Sequence, residues 1–387
     1  MTNLLASTKE ILEKLVSFQS LSGQSNLDMI AYIEEYLKRH GVSSSLSYDE
    51  TKKKANLYAT IGPAVEGGVA LNGHTDVVPV KGQAWTTDPF VLTERNNRLY
   101  GRGTVDMKGF LACALAMVPE FQRAELQRPI HVSFCYDEEI GGFGAPVLAD
   151  DIVSKNFKPD VMIVGEPTNM GLVTGHKAGM EITTRFTGFE VHSSQPDKGV
   201  NAIEFASRFI GKILEVGACL AAEPKIGSPY DPPYTTCNVG RIDGGAASNI
   251  TAGSCEMVWE IRPIPGDNGQ AIFQEILDFS DNVLLPEMRR VSSEANIVTI
   301  LDANMPSLDA SDDSPAVTLI RKLTGSNTRG VVSFGTDAGY FERVGLSTVV
   351  FGPGSIDQAH KPDEFIEISE LERCLSFLHD LARYQSQ

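Results

Sequence analysis

Apolar positions recur along the chain with two alternating periods. Near the N-terminus Ile11, Leu12, Leu15 and Val16 share one helical face. Leu27, Ile30, Ile33 and Leu37 repeat that spacing in a second helix, which Ser25 or Asn26 can cap and Gly41 stops. The pattern then shortens. Residues 56–61 and 68–71 read as strands, 109–118 as a strongly apolar helix, 130–136 as a β-branched and aromatic strand, and 161–165 as a buried strand. Strands alternating with helices predict an α/β sheet with helices on both faces.

After Gly175 the rhythm changes. Residues 180–187 alternate like a half-exposed strand, and 201–220 form a long amphipathic helix. Strands over 235–242 and 255–261 are joined across a Gly/Ala/Ser/Asn turn, 271–288 is helical, and 295–301 is a strand. That order, βαββαβ, makes a ferredoxin-like α+β unit. A helix over 315–323, strands over 331–334 and 348–351, and a helix over 369–384 then restore the first rhythm. The expected architecture is a mixed-sheet α/β domain built from 1–177 and 304–387, with a ferredoxin-like domain inserted over 178–303.

Length and composition agree with two folded domains: 387 residues, 42% apolar and 21% charged. A net charge of -17 argues against nucleic acid or an anionic membrane as partner, since both demand a positive face. No run reaches the ~18 apolar residues of a membrane span. Lys9, Glu10, Glu13 and Lys14 stand where a signal peptide would need an apolar stretch, so a cytoplasmic location is expected. The six Cys form no C-x-x-C pair and read as reduced thiols. Phosphate-loop, dinucleotide, zincin and serine-hydrolase motifs are absent.

The chemistry-bearing residues sit where strands end. His74-Thr75-Asp76 ends one strand, and alternation puts His74 and Asp76 on one side, a spacing that suits a ligand histidine oriented by a carboxylate. Asp106 stands at the mouth of the apolar helix, in the glycine-flanked run 101–109. Asp137-Glu138-Glu139 follows the strand over 130–136, Glu166 follows that over 161–165, and His360 lies in a Gly-rich loop. Each acid alone reads equally as a helix cap, a turn residue or a solvated charge. Together, two His and three carboxylate stations make five candidate ligands. Mixed His and carboxylate donors suit Zn²⁺, and a bridging carboxylate permits two ions about 3.5–4 Å apart. Of the adjacent Glu138 and Glu139, one can bind metal while the other stays free as a base.

At Gly73-His74-Thr75-Asp76-Val77-Val78-Pro79, the run 101–109, Asp137-Glu138-Glu139 and Gly165-Glu166-Pro167-Thr168 the chain resembles the dinuclear zinc amidohydrolases. That family includes acetylornithine deacetylase, succinyl-diaminopimelate desuccinylase, aminoacylase and the glutamate carboxypeptidases. The likeness spans essentially the whole chain, and the stretch 352–364 is most similar to the acetylornithine deacetylases. The resemblance implies a zinc-peptidase-like catalytic domain with two Zn²⁺ per subunit, Co²⁺ being a substitute. His74 and Glu166 would bind one ion, Glu139 and His360 the other, and Asp106 would bridge them through a segment with a cis peptide after it. Asp76 would orient His74, and Glu138 would be the general base. In the inserted domain, a lid and dimerisation element in the family, His192 would stabilise the transition state, and Asn249 and Arg262 would hold substrate. Asp337 stands where acetylornithine deacetylases commonly carry Glu. It would face a substrate ammonium or cap the following helix. The implied reaction is hydrolysis of N-acetylornithine in arginine biosynthesis by a homodimer acting on a small N-acyl amino acid. A related amidohydrolase (desuccinylase, aminoacylase or dipeptidase) and a non-catalytic binding relative are the alternatives.

Overall fold

The structure is a computed structural model that describes residues 2–154 and 158–387. It divides into two compact units. One is Met1–His176 with Leu308–Val332 and Thr336–Gln387; the other is Lys177–Ser307 with Ser333–Gly335.

The first unit is organised by a mixed sheet of nine strands among the described residues. Across it run Ser44–Tyr48, Ala55–Ile61, Ile130–Cys135, Val69–His74, Val161–Val164, Ser347–Val350, Val173–His176 and Leu308–Asp309, with Gly330–Val332 also paired to Val173–His176. The four central strands, Ile130–Cys135 to Ser347–Val350, are mutually parallel. They are buried almost throughout, as strands covered on both faces must be, which is why they read as continuous apolar runs. Parallel neighbours need a crossover. The helix Gly109–Ala116, buried at every position, lies in the connection from Val69–His74 to Ile130–Cys135. It shares one apolar core with the helices Thr2–Ser17, Leu27–Arg39 and Ile368–Gln385 through residues such as Leu12, Leu15, Leu111, Leu115, Leu375 and Leu378. A small antiparallel sheet, Phe365–Glu367, Arg98–Tyr100 and Thr93–Arg95, holds residues 98–100 against 365–367.

The second unit has the order βαββαβ. Its four antiparallel strands lie as Thr236–Gly244, Ser254–Arg262, Gly179–Thr187 and Asn296–Met305. Alternate residues of Ser254–Arg262 are buried. Trp259 there meets Phe209 of the helix Ala202–Ala222 edge-on, with ring centres 5.7 Å apart.

Local differences from the sequence reading have local causes. Asn26 precedes the helix Leu27–Arg39 but makes no cap. Its amide instead donates to the Ala55 carbonyl and Thr75 Oγ1 and accepts from the Ala55 N–H, which pins two strands together. The helix expected over 271–288 is two, Gly269–Phe279 and Leu285–Val291, separated by a widened turn ahead of Pro286, which has no N–H to continue the ladder. The strands Ser44–Tyr48 and Val173–His176 and the helices Gly144–Ser154 and Ala338–Arg343 were not legible as elements.

Candidate metal centre

The parallel strands finish in register. His74 pairs with Cys135, Asn72 with Val164, and Val164 with Val350. The loops that follow therefore leave the sheet along one edge, and His74, Glu138, Glu139 and Glu166 converge there. Glycines allow the fourth participant to approach. A Cβ on Gly73 would lie 2.5 Å from Leu111 Cδ1 and 2.7 Å from Met107 Cε, and one on Gly165 would lie 2.1 Å from the Phe110 ring. Without side chains at 73 and 165, the segment 107–111 lies directly on the strand ends and delivers Asp106. The Asp106–Met107 peptide bond is cis.

Asp106 is buried and its two oxygens face different histidines. Oδ1 is 3.0 Å from His74 Nε2 and Oδ2 is 3.1 Å from His360 Nε2. His360 Nε2 is also 2.9 Å from Glu139 Oε2, and Glu166 Oε1 is 3.7 Å from His74 Nε2. Ligand atoms of His74, Asp106 and Glu139 lie within 4.8 Å of one another, as do those of His74, Glu138 and Glu166. His74 is sealed in, whereas the His360 side chain is 51% exposed, so the centre opens to solvent on the His360 side.

Asp76 meets His74 through its main chain as well as its carboxylate, and the carboxylate has a further task. His74 Nδ1 donates to the Asp76 backbone carbonyl at 2.9 Å, while the carboxylate stands 3.6 Å away. That carboxylate accepts the backbone N–H groups of Glu138 and Glu139 at 3.1 and 3.3 Å, and the Ser22 hydroxyl at 2.8 Å. Asp76 thus fixes the ligand histidine and, through its side chain, the two glutamates. The preceding Asp137 takes a left-handed conformation, φ 56°, which turns the chain so that Glu138 and Glu139 face inward. Its buried carboxylate is held by the Gly23 N–H and the Lys54 ammonium.

The electrostatics call for a cation. Burial, and then the neighbouring carboxylates, push Glu138 and Glu166 well above the usual carboxylate range and Glu139 up to about 7. Asp106 is also buried, but hydrogen bonds from His360 and His74 hold it below its ordinary value. With Nδ1 of His74 committed as a donor, its Nε2 faces the Asp106 and Glu166 oxygens through a proton, as in its hydrogen bond to Asp106, or through a metal ion in that proton's place. Acceptors facing acceptors are stable only with a proton or a metal ion between them. The donor set therefore fits two divalent cations that share Asp106.

Asp337 is fully buried and does not cap the helix Ala338–Arg343; Thr336 Oγ1 accepts the Ala338 N–H. Asp337 Oδ2 accepts the Cys135 thiol proton at 2.7 Å, and burial raises its carboxyl to about 6. Neither oxygen is presented to solvent where an ammonium could meet it. All six cysteines are free thiols.

The remaining expected residues belong to the second unit. The backbones of His192 and Ile250 form a bridge, and the Ser193 N–H donates to the Asn249 carbonyl at 3.0 Å, so the His192 and Asn249 loops are neighbours. His192 Nδ1 accepts the Ser194 N–H at 3.2 Å, which leaves the proton on Nε2. Arg262 is paired with Glu260, Nη2 to Oε2 at 2.8 Å.

A model of peptidase family M20/M25/M40 matches residues 70–384, a span that takes in every candidate ligand and His192, Asn249, Arg262 and Asp337. The chain belongs to that family. It is a metal-dependent amide hydrolase with a candidate metal-binding group. The acetylornithine deacetylase of Photorhabdus laumondii is 36% identical over 367 residues, which cover 93% of this chain and 92% of that protein. That of Proteus mirabilis is 35% identical over 371 residues, 94% and 92% of the two chains. Among solved structures, an M20 family metallo-carboxypeptidase from Sulfolobus solfataricus matches 98% of this chain and 99% of its own with a TM-score of 0.77 at 18% identity. Human carnosine dipeptidase 1 matches 100% and 98% with a TM-score of 0.75 at 18% identity. The expected architecture is that of the family: a mixed-sheet unit interrupted by an α+β unit. No helix among the described residues is long and apolar enough to cross a membrane.

Proposed function

We propose that this chain is a two-zinc amidohydrolase that cleaves N-acetylornithine to ornithine and acetate, a step of arginine biosynthesis. The observation that carries the two-metal chemistry is the Asp106 carboxylate, with one oxygen 3.0 Å from His74 and the other 3.1 Å from His360. Similarity to acetylornithine deacetylases along more than nine-tenths of the chain supports the substrate.

His74, Glu166 and Asp106 would hold one cation and Glu139, His360 and Asp106 the other. Zn²⁺ there would supply Lewis acidity for an amide carbonyl and for a water, with Co²⁺ a substitute at such a donor set. Glu138, fixed through its backbone by Asp76, takes the proton from the attacking water and returns it to the leaving amine nitrogen. His192 donates from Nε2 to the carbonyl oxygen as it gains charge. Arg262 exchanges Glu260 for the substrate α-carboxylate, and Asn249 supplies a further polar contact. Asp337, expected at a substrate ammonium, lies buried against the Cys135 thiol and takes no substrate contact. We assign the enzyme to the cytoplasm as a homodimer formed through the inserted unit. There Ile203, Ile242 and Ile250 are 40, 48 and 40% exposed, and Thr236–Gly244 is a sheet edge.

The test is amide hydrolysis by zinc-loaded protein on N-acetylornithine, N-acetylcitrulline, N-acetylmethionine, N-succinyl-diaminopimelate and a dipeptide, with a chelated control. The expected result is the highest kcat/KM on N-acetylornithine, abolished by chelation. Preference for another member overturns the substrate and keeps the chemistry; no turnover by protein carrying two zinc ions overturns both.

A further inference from the structure

Behind the ligands, three side chains that play no part in the chemistry above form an unbroken path between two of them. Glu364 and Arg102 are each 1% exposed and pair at 2.6 Å, Nη1 to Oε2. The other Glu364 oxygen accepts the backbone N–H groups of Val105 and Asp106 at 2.9 and 3.2 Å. Arg102 Nη2 donates to Gln83 Oε1 at 2.6 Å, and Trp85 Nε1 donates to the same oxygen at 3.0 Å. Two donors on Oε1 fix the orientation of the amide, so Gln83 Nε2 donates to the backbone carbonyl of His360, at 2.8 Å. The His360 backbone itself is left-handed, φ 62°, a conformation uncommon for any residue with a side chain.

We infer that Gln83, Arg102 and Glu364 are positioning residues. They set the span between the Asp106 backbone and the His360 backbone, and with it the affinity of the cation held by His360 and Glu139. The inference rests on the two-cation reading of the centre. Its logic is geometric. His74 and Glu166 follow strands of the central sheet and are placed by that sheet. His360 stands in a loop on the solvent side, so its distance from Asp106 depends on what ties that loop down. Among the described residues, the side-chain hydrogen bond to the His360 backbone comes from Gln83, and a buried ion pair connects Gln83 to the Asp106 amide. Second-layer hydrogen bonds of this kind are worth about 10–100-fold in metal affinity when removed.

Gln83 is half-buried, so its replacement does not threaten the fold as loss of Arg102 would. The full chain, stripped and re-titrated with Zn²⁺ against a chromophoric chelator, should show two binding steps. In Gln83→Leu one of the two steps should fall by about 10–100-fold and the other should stay. Thermal unfolding of the stripped protein should stay close to the parent, kcat should fall more than KM changes, and excess Zn²⁺ should restore kcat. Gln83→Glu keeps the acceptor for Arg102 but loses the donor to His360, and should weaken the same step. Parent-like affinity at both steps in Gln83→Leu overturns the inference, and so does equal weakening of both, which is the mark of a general structural role. A parent that binds fewer than two ions overturns the two-cation reading itself, and that result is read without any variant.

Discussion

Replacing Glu138 by Gln keeps the size and hydrogen-bonding shape of the side chain and removes its ability to accept a full proton. Its backbone N–H stays bound to Asp76 Oδ1 at 3.1 Å, so the turn that carries Glu139 is undisturbed. The ligand atoms on His74, Asp106, Glu139, Glu166 and His360 are untouched. General acid–base catalysis contributes about 10²–10⁴-fold per role, and Glu138 serves at both water attack and amine departure. Turnover should fall by at least about 10³-fold, or ~4 kcal/mol in barrier. Metal content should remain two per chain. The metal-free variant should be no less stable than the metal-free parent, because the substitution deletes a buried carboxyl crowded by Glu166, Asp337 and Glu139. Stopped assays on N-acetylornithine, metal analysis of the same sample and thermal unfolding after chelation read the three quantities. Turnover within tenfold of the parent with both ions bound would refute the base assignment. Loss of one ion together with turnover would make Glu138 a ligand, as its proximity to His74 and Glu166 permits.

His192→Ala should lower kcat by about 10²–10³-fold with metal content unchanged, the cost of one oxyanion donor; an unchanged kcat removes His192 from the reaction. Stability of the chelated protein should fall as pH rises. Burial and Asp106 raise Glu139 from 4.5 to about 7, so the folded state holds more protons than the unfolded one across that interval and loses stability as pH climbs through it. Hydrogen bonds to Asp106 and Glu139 raise His360 from 6.5 to about 10, so its contribution is complete below about 6.5 and is lost towards 10. Melting of the chelated protein that is flat or rising from pH 5 to 9 would contradict this, and added Zn²⁺ should raise the curve most at the alkaline end. Gly165→Ala sets a methyl group 2.1 Å from the Phe110 ring and should cost about 1–3 kcal/mol, visible as a lowered Tm; an unchanged Tm would mean that the segment 107–111 yields freely.

The parallel strands were legible because burial on both faces leaves uninterrupted apolar runs, as in Val161–Val164, and the candidate ligands stood out because they lie at the ends of those runs. Shorter elements were not. Ala338–Arg343 has six residues, too few to display a helical period, and Ser44–Tyr48 alternates serine with only one aliphatic residue. Asn26 looked like a cap because side chains that cap and side chains that bridge strands have the same chemistry; only the strand beside it decides. The further task of the Asp76 carboxylate depends on a loop about sixty residues later, which no local spacing reveals. The path through Gln83, Arg102 and Glu364 joins three distant segments. Its one signal was a charged pair, Arg102 and Glu364, inside stretches already singled out for other residues.

The order of the site residues along the chain bears on biosynthesis. His74, Asp106, Glu138, Glu139 and Glu166 all precede the inserted unit, whereas the strand Ser347–Val350, His360 and Glu364 follow it. While the ribosome makes the inserted unit, the earlier part of the first unit carries an acidic cluster with one of its two histidines and an unpaired edge at Val161–Val164. A growing chain of this kind depends on a segment made after the inserted unit to close the sheet and to supply His360. Chains cut short before Ser347 keep the acids with His74 alone to offset them and leave the Val161–Val164 edge unpaired, a form that cellular proteolysis would find open.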